Sequence, residues 1–221
     1  METAHFSILS VNVGLPSVIG TVDGEDVFSA IVKRPVETDS VRLRTLGIDG
    51  DGQADLEAHG GVDMAVYAYS SDNWPWWEME KQLPCAPNTF GENLTLAGGD
   101  ENSVCIGDQF RWGEAILEVS QPRAPCFKLA IHTKRPDVPQ AMTLSARCGW
   151  YLRVISGGVL PVRRATLARI ATRGGPSVRE TFAALFSRSP DGEALRRIHD
   201  APGLSEGWRH SINRKISALP G

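Results

Sequence analysis

The sequence predicts a mainly β protein with helices: a β-barrel or β-sandwich decorated by helices, followed by a small appendage of three short helices. Between residues 1 and about 165, short strands follow one another closely, and 22 glycines and 14 prolines in 221 residues supply turns between them. After the linker Gly174-Gly175-Pro176, apolar residues recur at helical spacing instead. We therefore predict a β domain over residues 1–167 and a three-helix domain over residues 176–218.

The composition excludes several classes of protein. Hydrophobic residues make up 42% of the chain, which is enough for a sizeable core. The net charge is -3, and the basic residues of the last helices alternate with acidic ones, so we expect no stable nucleic-acid partner. No apolar run approaches the roughly 20 residues that span a bilayer, and the N-terminus lacks the basic leader of a signal peptide. We therefore expect a cytoplasmic protein that does not enter a membrane.

Four strands are predicted in the first third of the chain. His5–Val13 alternates apolar and polar residues, as a half-buried strand does. Val27–Val32 and Val41–Leu46 are shorter strands, and Met64–Tyr69 is a buried strand rich in β-forming residues. These four runs begin the sheet of the β domain.

A short helix is predicted directly after the fourth strand. Ser71 or Asp72 is a suitable N-cap, Pro75 fits the first turn, and Pro84 ends the helix. This is the first helix that decorates the β domain.

The second half of the β domain is predicted to contain hairpins and one more helix. Two glycine turns divide residues 104–121 into three short strands. A helix opens at Asp137 and stops at Gly149, and the strands Trp150–Ile155 and Val159–Leu167 then form a hairpin. These elements complete the β domain.

Three helices are predicted in the C-terminal domain. The first begins at the capping box formed by Ser177 and Glu180, the second at Ser189-Pro190, and the third at Ser205. A bundle of this size is marginally stable alone. We therefore expect it to dock on the β domain or on a second copy of the chain, which leaves a homodimer open.

Cys126 is the first candidate for a chemical role. The four cysteines form no CxxC pair, so reduced thiols are expected. Cys126 follows a predicted strand, in a segment stiffened by two prolines and flanked by Arg123 and Lys128. Positive neighbours favour the thiolate, which attacks electrophiles and binds soft metals. A buried cysteine at a barrel rim is the alternative, and the residues alone leave the two open.

A glycine-rich segment is the second candidate. The amides of Gly60 and Gly61 are able to cradle an anion, and His59 is able to donate to a phosphate or act as an acid or base. A simple tight turn before the Met64 strand is the alternative. The acidic residues nearby lack the ligand spacing of a calcium loop.

Polar residues of two further segments complete the candidate set. Asn93, in the run Phe90-Gly91-Glu92-Asn93, either closes a turn or presents an amide to a ligand. Lys33 and Arg34 follow the second predicted strand and either face the same cleft or remain solvated.

Common catalytic motifs are missing from the sequence. It contains no HExxH, P-loop, GxGxxG or GxSxG motif, and its cysteines lack zinc-finger spacing. A Cys126–His59 hydrolase dyad is formally possible, although nothing in the sequence brings the two residues together.

Taken together and in this order, these segments resemble the MOSC domain, the module shared with the C-terminal part of molybdenum cofactor sulfurases, and specifically its YiiM-like branch. The resemblance covers nearly the whole chain, including the terminal helices. Met64 is a departure, because the family often has Lys there. The matching residues are 29–36, 50–55, 59–67, 90–94, 104–108, 120–123 with Pro125-Cys126, and 149–151.

The resemblance implies a β-barrel that binds a molybdenum–pyranopterin cofactor, with Cys126 as the thiolate ligand to molybdenum. It also implies an oxidoreductase that reduces N-hydroxylated compounds, such as hydroxylaminopurines and amidoximes, to amines. The sequence shows no flavin, haem or iron–sulfur motif, so a separate reductase would supply the electrons. His59 is then a candidate proton donor. The residues expected to hold the anionic cofactor are Lys33, Arg34, His59, Gly60, Gly61, Asn93, Arg123 and Lys128.

Two other functions stay open. A cofactor carrier would bind the same group without turnover. A sulfur-transfer protein would use Cys126 as a persulfide carrier instead.

Overall fold

A computed structural model describes residues 5–54 and 60–219, which contain thirteen strands and six α-helices. In these ranges no helix combines the length and the apolar character needed to cross a membrane. The strands are β1 (His5–Val13), β2 (Ser17–Val22), β3 (Glu25–Ser29), β4 (Arg34–Pro35), β5 (Ser40–Arg44), β6 (Gly47–Ile48), β7 (Val66–Ser70), β8 (Leu94–Ala97), β9 (Gln109–Trp112), β10 (Ala115–Pro122), β11 (Trp150–Ser156), β12 (Gly158–Pro161) and β13 (Thr166–Ala171). The helices are α1 (Trp74–Lys81), α2 (Phe127–Thr133), α3 (Val138–Ser145), α4 (Val178–Phe186), α5 (Gly192–His199) and α6 (Glu206–Ser217).

Seven of the described strands close into a mixed β-barrel. Their order is β13-β9-β10-β11-β7-β8-β1, and pairing of Phe6 with Leu167 joins β1 back to β13. The β7–β8 pair is parallel, whereas the other pairs around the barrel are antiparallel. Closure leaves no long unpaired edge in the main sheet. Of the two architectures that the sequence left open, the chain therefore adopts the barrel.

Large side chains fill the interior of the barrel. Phe6, Phe110 and Trp150 are fully buried, and the Phe6 ring lies 5.7 Å from the Phe110 ring and 5.9 Å from the Trp150 ring. A small closed barrel has room for side chains and little else. Any sizeable ligand must therefore bind outside the barrel wall, where the connecting segments lie.

The predicted strand Val27–Val32 is only partly correct. The observed strand β3 ends at Ser29, and it pairs with β2, which the sequence analysis did not predict. The Ser29 hydroxyl accepts a hydrogen bond from the Ile31 amide at 3.2 Å, which turns the backbone out of the strand. Residues 30–33 therefore leave the hairpin and become free to line a cavity.

The helix α2 is the second difference from the sequence prediction. Cys126 was expected on a stiff loop, but it occupies the N-cap position of α2. The helix is seven residues long, which is too short for a periodic apolar pattern to be detected. Cys126 thus lies at a junction between a barrel strand and a helix.

Several predicted boundaries shift by a few residues. Helix α1 ends before Pro84 because Gln82 adopts the left-handed conformation, and Ala146 ends α3 before Gly149 in the same way. The first of the three strands predicted in residues 104–121 is reduced to one bridge at Cys105, and the strand predicted over residues 159–167 is divided between β12 and β13.

The three C-terminal helices pack together and dock on the barrel. The rings of Phe182 in α4 and Trp208 in α6 lie 6.4 Å apart inside the bundle. The Val178 amide donates to the Val104 carbonyl at 2.8 Å, and the Ser205 amide donates to the Ser120 carbonyl of β10 at 2.9 Å. The bundle is therefore continuous with the barrel that carries the site described below.

Ser177→Ala should lower the free energy of unfolding by about 1 kcal/mol, because the Ser177 hydroxyl accepts the Glu180 amide in the capping box of α4. Urea denaturation followed by circular dichroism measures the change. Ser211→Ala, in the middle of α6, is the control and should not lower it. Equal stability of Ser177→Ala and the parent would show that the box contributes nothing.

Candidate functional site

A solvent-open cavity, with about 110 Å³ accessible to water-sized groups, lies outside the barrel wall. Segments that are distant in the sequence contribute to it, at residues 29–33, 51–54, 90–93 and 123–128. Tyr67 on β7 and Tyr151 on β11 form the part of its wall that belongs to the barrel. The cavity is therefore built by connections between strands rather than by the barrel interior.

Two of these segments touch closely at a glycine. Gly91 has a φ of +82°, and a Cβ atom at this position would lie 2.3 Å from Cγ1 of Ile31. Only glycine accepts both this conformation and this approach without strain. The motif Phe90-Gly91-Glu92-Asn93 therefore brings the Lys33 segment against the start of β8.

Cys126 lines this cavity. Its strand β10 contains a bulge between Val119 and Gln121, and the chain then turns through Pro122 to the N-cap of α2. Cys126 is half-buried, and its sulfur makes no capping hydrogen bond. The sulfur is thus free to contact a ligand in the cavity.

The other three cysteines are outside the cavity lining. Burial raises the pKa of Cys85 to about 12, raises that of Cys105, and raises that of the fully buried Cys148 well above its ordinary value. These three side chains are protonated thiols at neutral pH.

Arg123 is a buried cation in the cavity wall. Its exposed fraction is 5%, its guanidinium carbon lies 5.6 Å from the centre of the Tyr67 ring, and Nη1 lies 3.5 Å from the Met142 sulfur. Among residues 5–54 and 60–219, no carboxylate oxygen lies within 4.0 Å of a guanidinium nitrogen of Arg123. Burying a charge without a counter-ion costs several kcal/mol. The geometry is that of a site completed by an anionic ligand.

Lys33 also lines the cavity, but it already has a counter-ion. Its Nζ lies 2.5 Å from Oδ1 of Asp51, and the two side chains are 7% and 9% exposed. Burial lowers the pKa of Lys33, and the Asp51 charge opposes this effect. Lys33 therefore helps to hold the wall together, in addition to any contact with a ligand.

Asp51 is a functional residue that the sequence analysis did not single out. Its Oδ1 also accepts the Gly14 amide at 2.8 Å, and its Oδ2 accepts the Asn93 amide group at 2.8 Å. One carboxylate thus joins the β1 exit, the Lys33 segment and the start of β8. The sequence indicated only an acidic cluster here, so the buried partners of this one residue could not be identified from it.

Asn93 lines the cavity, but its side chain is used internally. The two N–H groups of Nδ2 donate to the Asn12 carbonyl at 3.1 Å and to Asp51 at 2.8 Å. Its Oδ1 accepts the Tyr67 amide at 3.0 Å. Because both donors are occupied, Asn93 positions the wall and has no free N–H for a ligand.

Lys128 supplies a second cation at the cavity. It lies in the first turn of α2, two residues after Cys126, and is partly exposed. No carboxylate of the described ranges forms a salt bridge with it. Arg123 and Lys128 are therefore the cations with charge to offer a ligand.

Three further predicted site residues, Arg34, Gly60 and Gly61, do not line the cavity. Arg34 lies on β4, where it pairs with Val13 and is exposed. Gly60 does not line the cavity, and neither does Gly61, whose amide donates to Oε1 of Gln53 at 2.7 Å. The Gly61 amide is thus occupied by the protein. His59 lies outside the described residues.

The described residues contain no group of three or more His, Cys, Asp and Glu side chains that would hold a metal ion by itself. One sulfur and two cations converge at the cavity instead. This donor set fits a metal complex that is anionic and brings most of its own ligands. The molybdenum–pyranopterin group implied by the resemblance has these properties.

A sequence profile described as "MOSC domain" matches residues 55–165, and one described as "YiiM-like, 3-alpha helix domain" matches residues 176–218. The chain belongs to the MOSC domain family.

Protein YiiM of Escherichia coli is 36% identical to this MOSC chain over 191 residues, which cover 85% of the chain and 84% of that protein. A "Reductase" of Gibberella moniliformis is 36% identical over 141 residues, which cover 61% of the chain but only 24% of that longer protein. The crystal structure of YiiM from Geobacillus stearothermophilus superposes with a TM-score of 0.79 at 32% identity, covering 96% of this chain and 99% of that one. The fold and the C-terminal helices are therefore those of YiiM-like MOSC proteins.

Met64 lines the cavity, so the one noted departure from the family falls within the candidate site. Its thioether adds no charge to the cavity wall.

His132 links the helix that follows Cys126 to the loop before Asn93. Its Nε2 lies 3.0 Å from the Asn88 carbonyl oxygen, and the Asn88 amide group donates to the Lys33 carbonyl at 2.9 Å. Burial, reinforced by the Arg123 charge, lowers the pKa of His132 below its ordinary 6.5. A neutral imidazole therefore connects α2 to the Asn88 loop, which in turn binds the Lys33 segment.

Asp51→Asn should destabilise the protein by about 3–5 kcal/mol, because it leaves the buried Lys33 ammonium without a counter-ion. Denaturant unfolding monitored by tryptophan fluorescence measures this. Asp49→Asn, two residues away, breaks only the exposed pair with Arg44 and is the matched control, with a small change expected. Equal effects of the two substitutions would contradict the role assigned to Asp51.

His132→Gln should lose less stability than the parent as the pH falls from about 7 to about 5. The imidazole titrates at a lower pH in the folded chain than near 6.5 in the unfolded chain, so its contribution is complete above 6.5 and is lost as the pH falls through the folded-state pKa. Unfolding at a series of pH values gives the slope. The slope of the parent protein is the reference, and an equal slope for His132→Gln would contradict the expectation.

Proposed function

We propose that the chain is a molybdenum-cofactor-dependent oxidoreductase that reduces N-hydroxylated compounds, such as hydroxylaminopurines and amidoximes, to amines. One observation carries the proposal: a free cysteine sulfur and a buried arginine without a carboxylate partner among the described residues face the same cavity. A thiolate is a preferred ligand of soft metals, and the guanidinium requires an anion. Membership of the MOSC family agrees with a soft metal at the sulfur and an anion at the guanidinium.

The residues present fit the cofactor. Cys126 would ligate molybdenum, and Arg123 and Lys128 would hold the anionic pyranopterin and its phosphate. Lys33 and Asn93 would shape the same wall through Asp51. When bound, the group supplies two-electron oxygen-transfer chemistry that no side chain provides.

The chain's own residues would bind the cofactor, fix its orientation and keep water away from it. Arg123 is already buried against Tyr67, so its charge acts in an environment with little water, where it is stronger than at the surface. Cys126 is fixed at a strand–helix junction, which limits the movement of anything attached to its sulfur. His59 is included in the proposal as a proton donor because it directly precedes Gly60-Gly61 in the sequence.

The proposal includes a separate electron-donating protein. Reduction of an N-hydroxy group to an amine and water consumes two electrons and two protons. The Gibberella moniliformis protein named "Reductase" is matched over only 24% of its length, so it contains much additional chain. In the present protein this part would be a partner, and the four unpaired cysteines agree with a reducing compartment such as the cytoplasm.

Cys126→Ser should lower the molybdenum content of freshly isolated protein by at least about tenfold, because it removes the thiolate ligand. Elemental analysis gives the metal content, and reduction of a hydroxylaminopurine with dithionite as electron donor gives the activity. Cys105→Ser is the matched control, since this half-buried thiol lies outside the cavity lining and should leave both values at the parent level.

The same measurements separate the two alternatives. Molybdenum bound by the parent without consumption of the N-hydroxy substrate identifies a cofactor carrier. Labile sulfur on Cys126 of metal-free protein, with no molybdenum, identifies a sulfur-transfer protein. Full metal content and activity in Cys126→Ser would exclude all three roles for this residue.

A further inference from the structure

The three tyrosines of the chain differ in what their hydroxyl groups bind. Tyr67 donates to the Cys148 carbonyl at 2.8 Å, and Tyr69 donates to the Arg147 carbonyl at 3.2 Å. The Tyr151 hydroxyl has no acceptor among the residues that the structure describes. Tyr151 therefore retains an unused O–H donor, and it is a cavity residue.

Tyr151 is held rigidly in the barrel wall. Strand β11 lies between β7 and β10, where Tyr151 pairs with Tyr67 on one side and Gln121 on the other. Its neighbours Trp150 and Leu152 are fully buried in the barrel core. Because successive side chains of a strand alternate in direction, Tyr151 points outward, to the cavity. Its ring centre lies 5.2 Å from that of Tyr67.

Arg123 limits which group can accept the Tyr151 proton. Both side chains line the cavity, and both lie near the Tyr67 ring: its centre is 5.6 Å from the Arg123 guanidinium carbon and 5.2 Å from the Tyr151 ring centre. A guanidinium has only donors, so Arg123 cannot accept a hydrogen bond from the Tyr151 hydroxyl. A ligand in the cavity is able to supply the missing acceptor.

We propose that the Tyr151 hydroxyl, which shares the cavity lining with Arg123, donates a hydrogen bond to an oxygen atom of the anionic ligand bound in the cavity. The proposal rests on the proposed function for the identity of that ligand, but not for the presence of an oxygen-bearing anion. Tyr151 adds a neutral, directional donor to the two cations Arg123 and Lys128. The cavity thereby selects ligands that carry an oxygen acceptor next to their negative charge over ligands with charge alone.

Binding of inorganic phosphate to the metal-free protein tests the proposal directly. Tyr151→Phe removes one hydroxyl and keeps the ring, and it should weaken phosphate binding by about tenfold in calorimetric titrations. Tyr69→Phe is the matched control, because it removes a buried hydroxyl that points to the Arg147 carbonyl, at a residue outside the cavity lining. It should lower thermal stability but keep the phosphate dissociation constant within about twofold.

Protein isolated with its molybdenum then shows which oxygen Tyr151 contacts. A lower molybdenum content in Tyr151→Phe assigns the hydrogen bond to the cofactor. An unchanged content with a lower kcat/KM for a hydroxylaminopurine assigns it to the substrate. Both results support the proposed hydrogen bond.

Three outcomes would overturn it: no phosphate binding by the parent, equal affinity of the parent and Tyr151→Phe, or equal weakening in both tyrosine variants. The tests of the two proposals remain distinguishable. If the parent holds no molybdenum and reduces no N-hydroxy compound, the proposed function fails, while the phosphate comparison still decides the role of Tyr151.

Discussion

The buried carboxylate of Asp51 holds the candidate site together. It receives hydrogen bonds from the Lys33 ammonium, the Gly14 amide and the Asn93 side chain, and these three groups come from distant parts of the sequence. A buried ion pair is stable only when its remaining hydrogen-bonding capacity is satisfied, and this arrangement meets that condition. Without it, the segments that form one side of the cavity would have no common anchor. The site is therefore an assembly of loops around one charge rather than a pocket in a rigid core.

Some charged side chains around the cavity are paired with each other and stabilise its wall, whereas others are unpaired and available to a ligand. The positive charge of Lys33 is compensated by the negative charge of Asp51, so the pair adds little net charge to the cavity. The positive charges of Arg123 and Lys128 are not compensated by a carboxylate, because neither residue forms a salt bridge within residues 5–54 and 60–219. Cys126 and Tyr151 add a sulfur and a hydroxyl at the same place. The barrel interior is filled by aromatic rings, so the barrel serves as the rigid support on which these groups are mounted.

Local sequence signals predicted a barrel or sandwich and the three terminal helices, and the resemblance implied that Cys126, Arg123, Lys128, Lys33 and Asn93 share one site. These five residues line the same cavity. The stiff, cationic segment around Cys126 is visible in the sequence because prolines and charges act locally. The helix α2 is not, because seven residues are too few to show a period. Arg34 is next to Lys33 in the chain, but it lies on the exposed strand β4 and outside the cavity lining, which the sequence alone does not reveal. Asp51 and Tyr151 were missed as site residues because their roles arise from partners far away in the sequence.

The bulge in β10 has a consequence for how this protein is able to vary. One extra residue, Ser120, separates the pairs Val119–Leu152 and Gln121–Tyr151, and it shifts the alternation of every side chain that follows. Deleting that residue would turn Gln121 and Pro122, the last two residues of β10, to the opposite face of the sheet, directly before Arg123. We therefore expect this segment to accept changes of residue type more readily than changes of length. Insertions and deletions should collect instead in exposed turns such as Asp23-Gly24 between β2 and β3, where a Cβ atom added to Gly24 would meet no other atom within 4 Å.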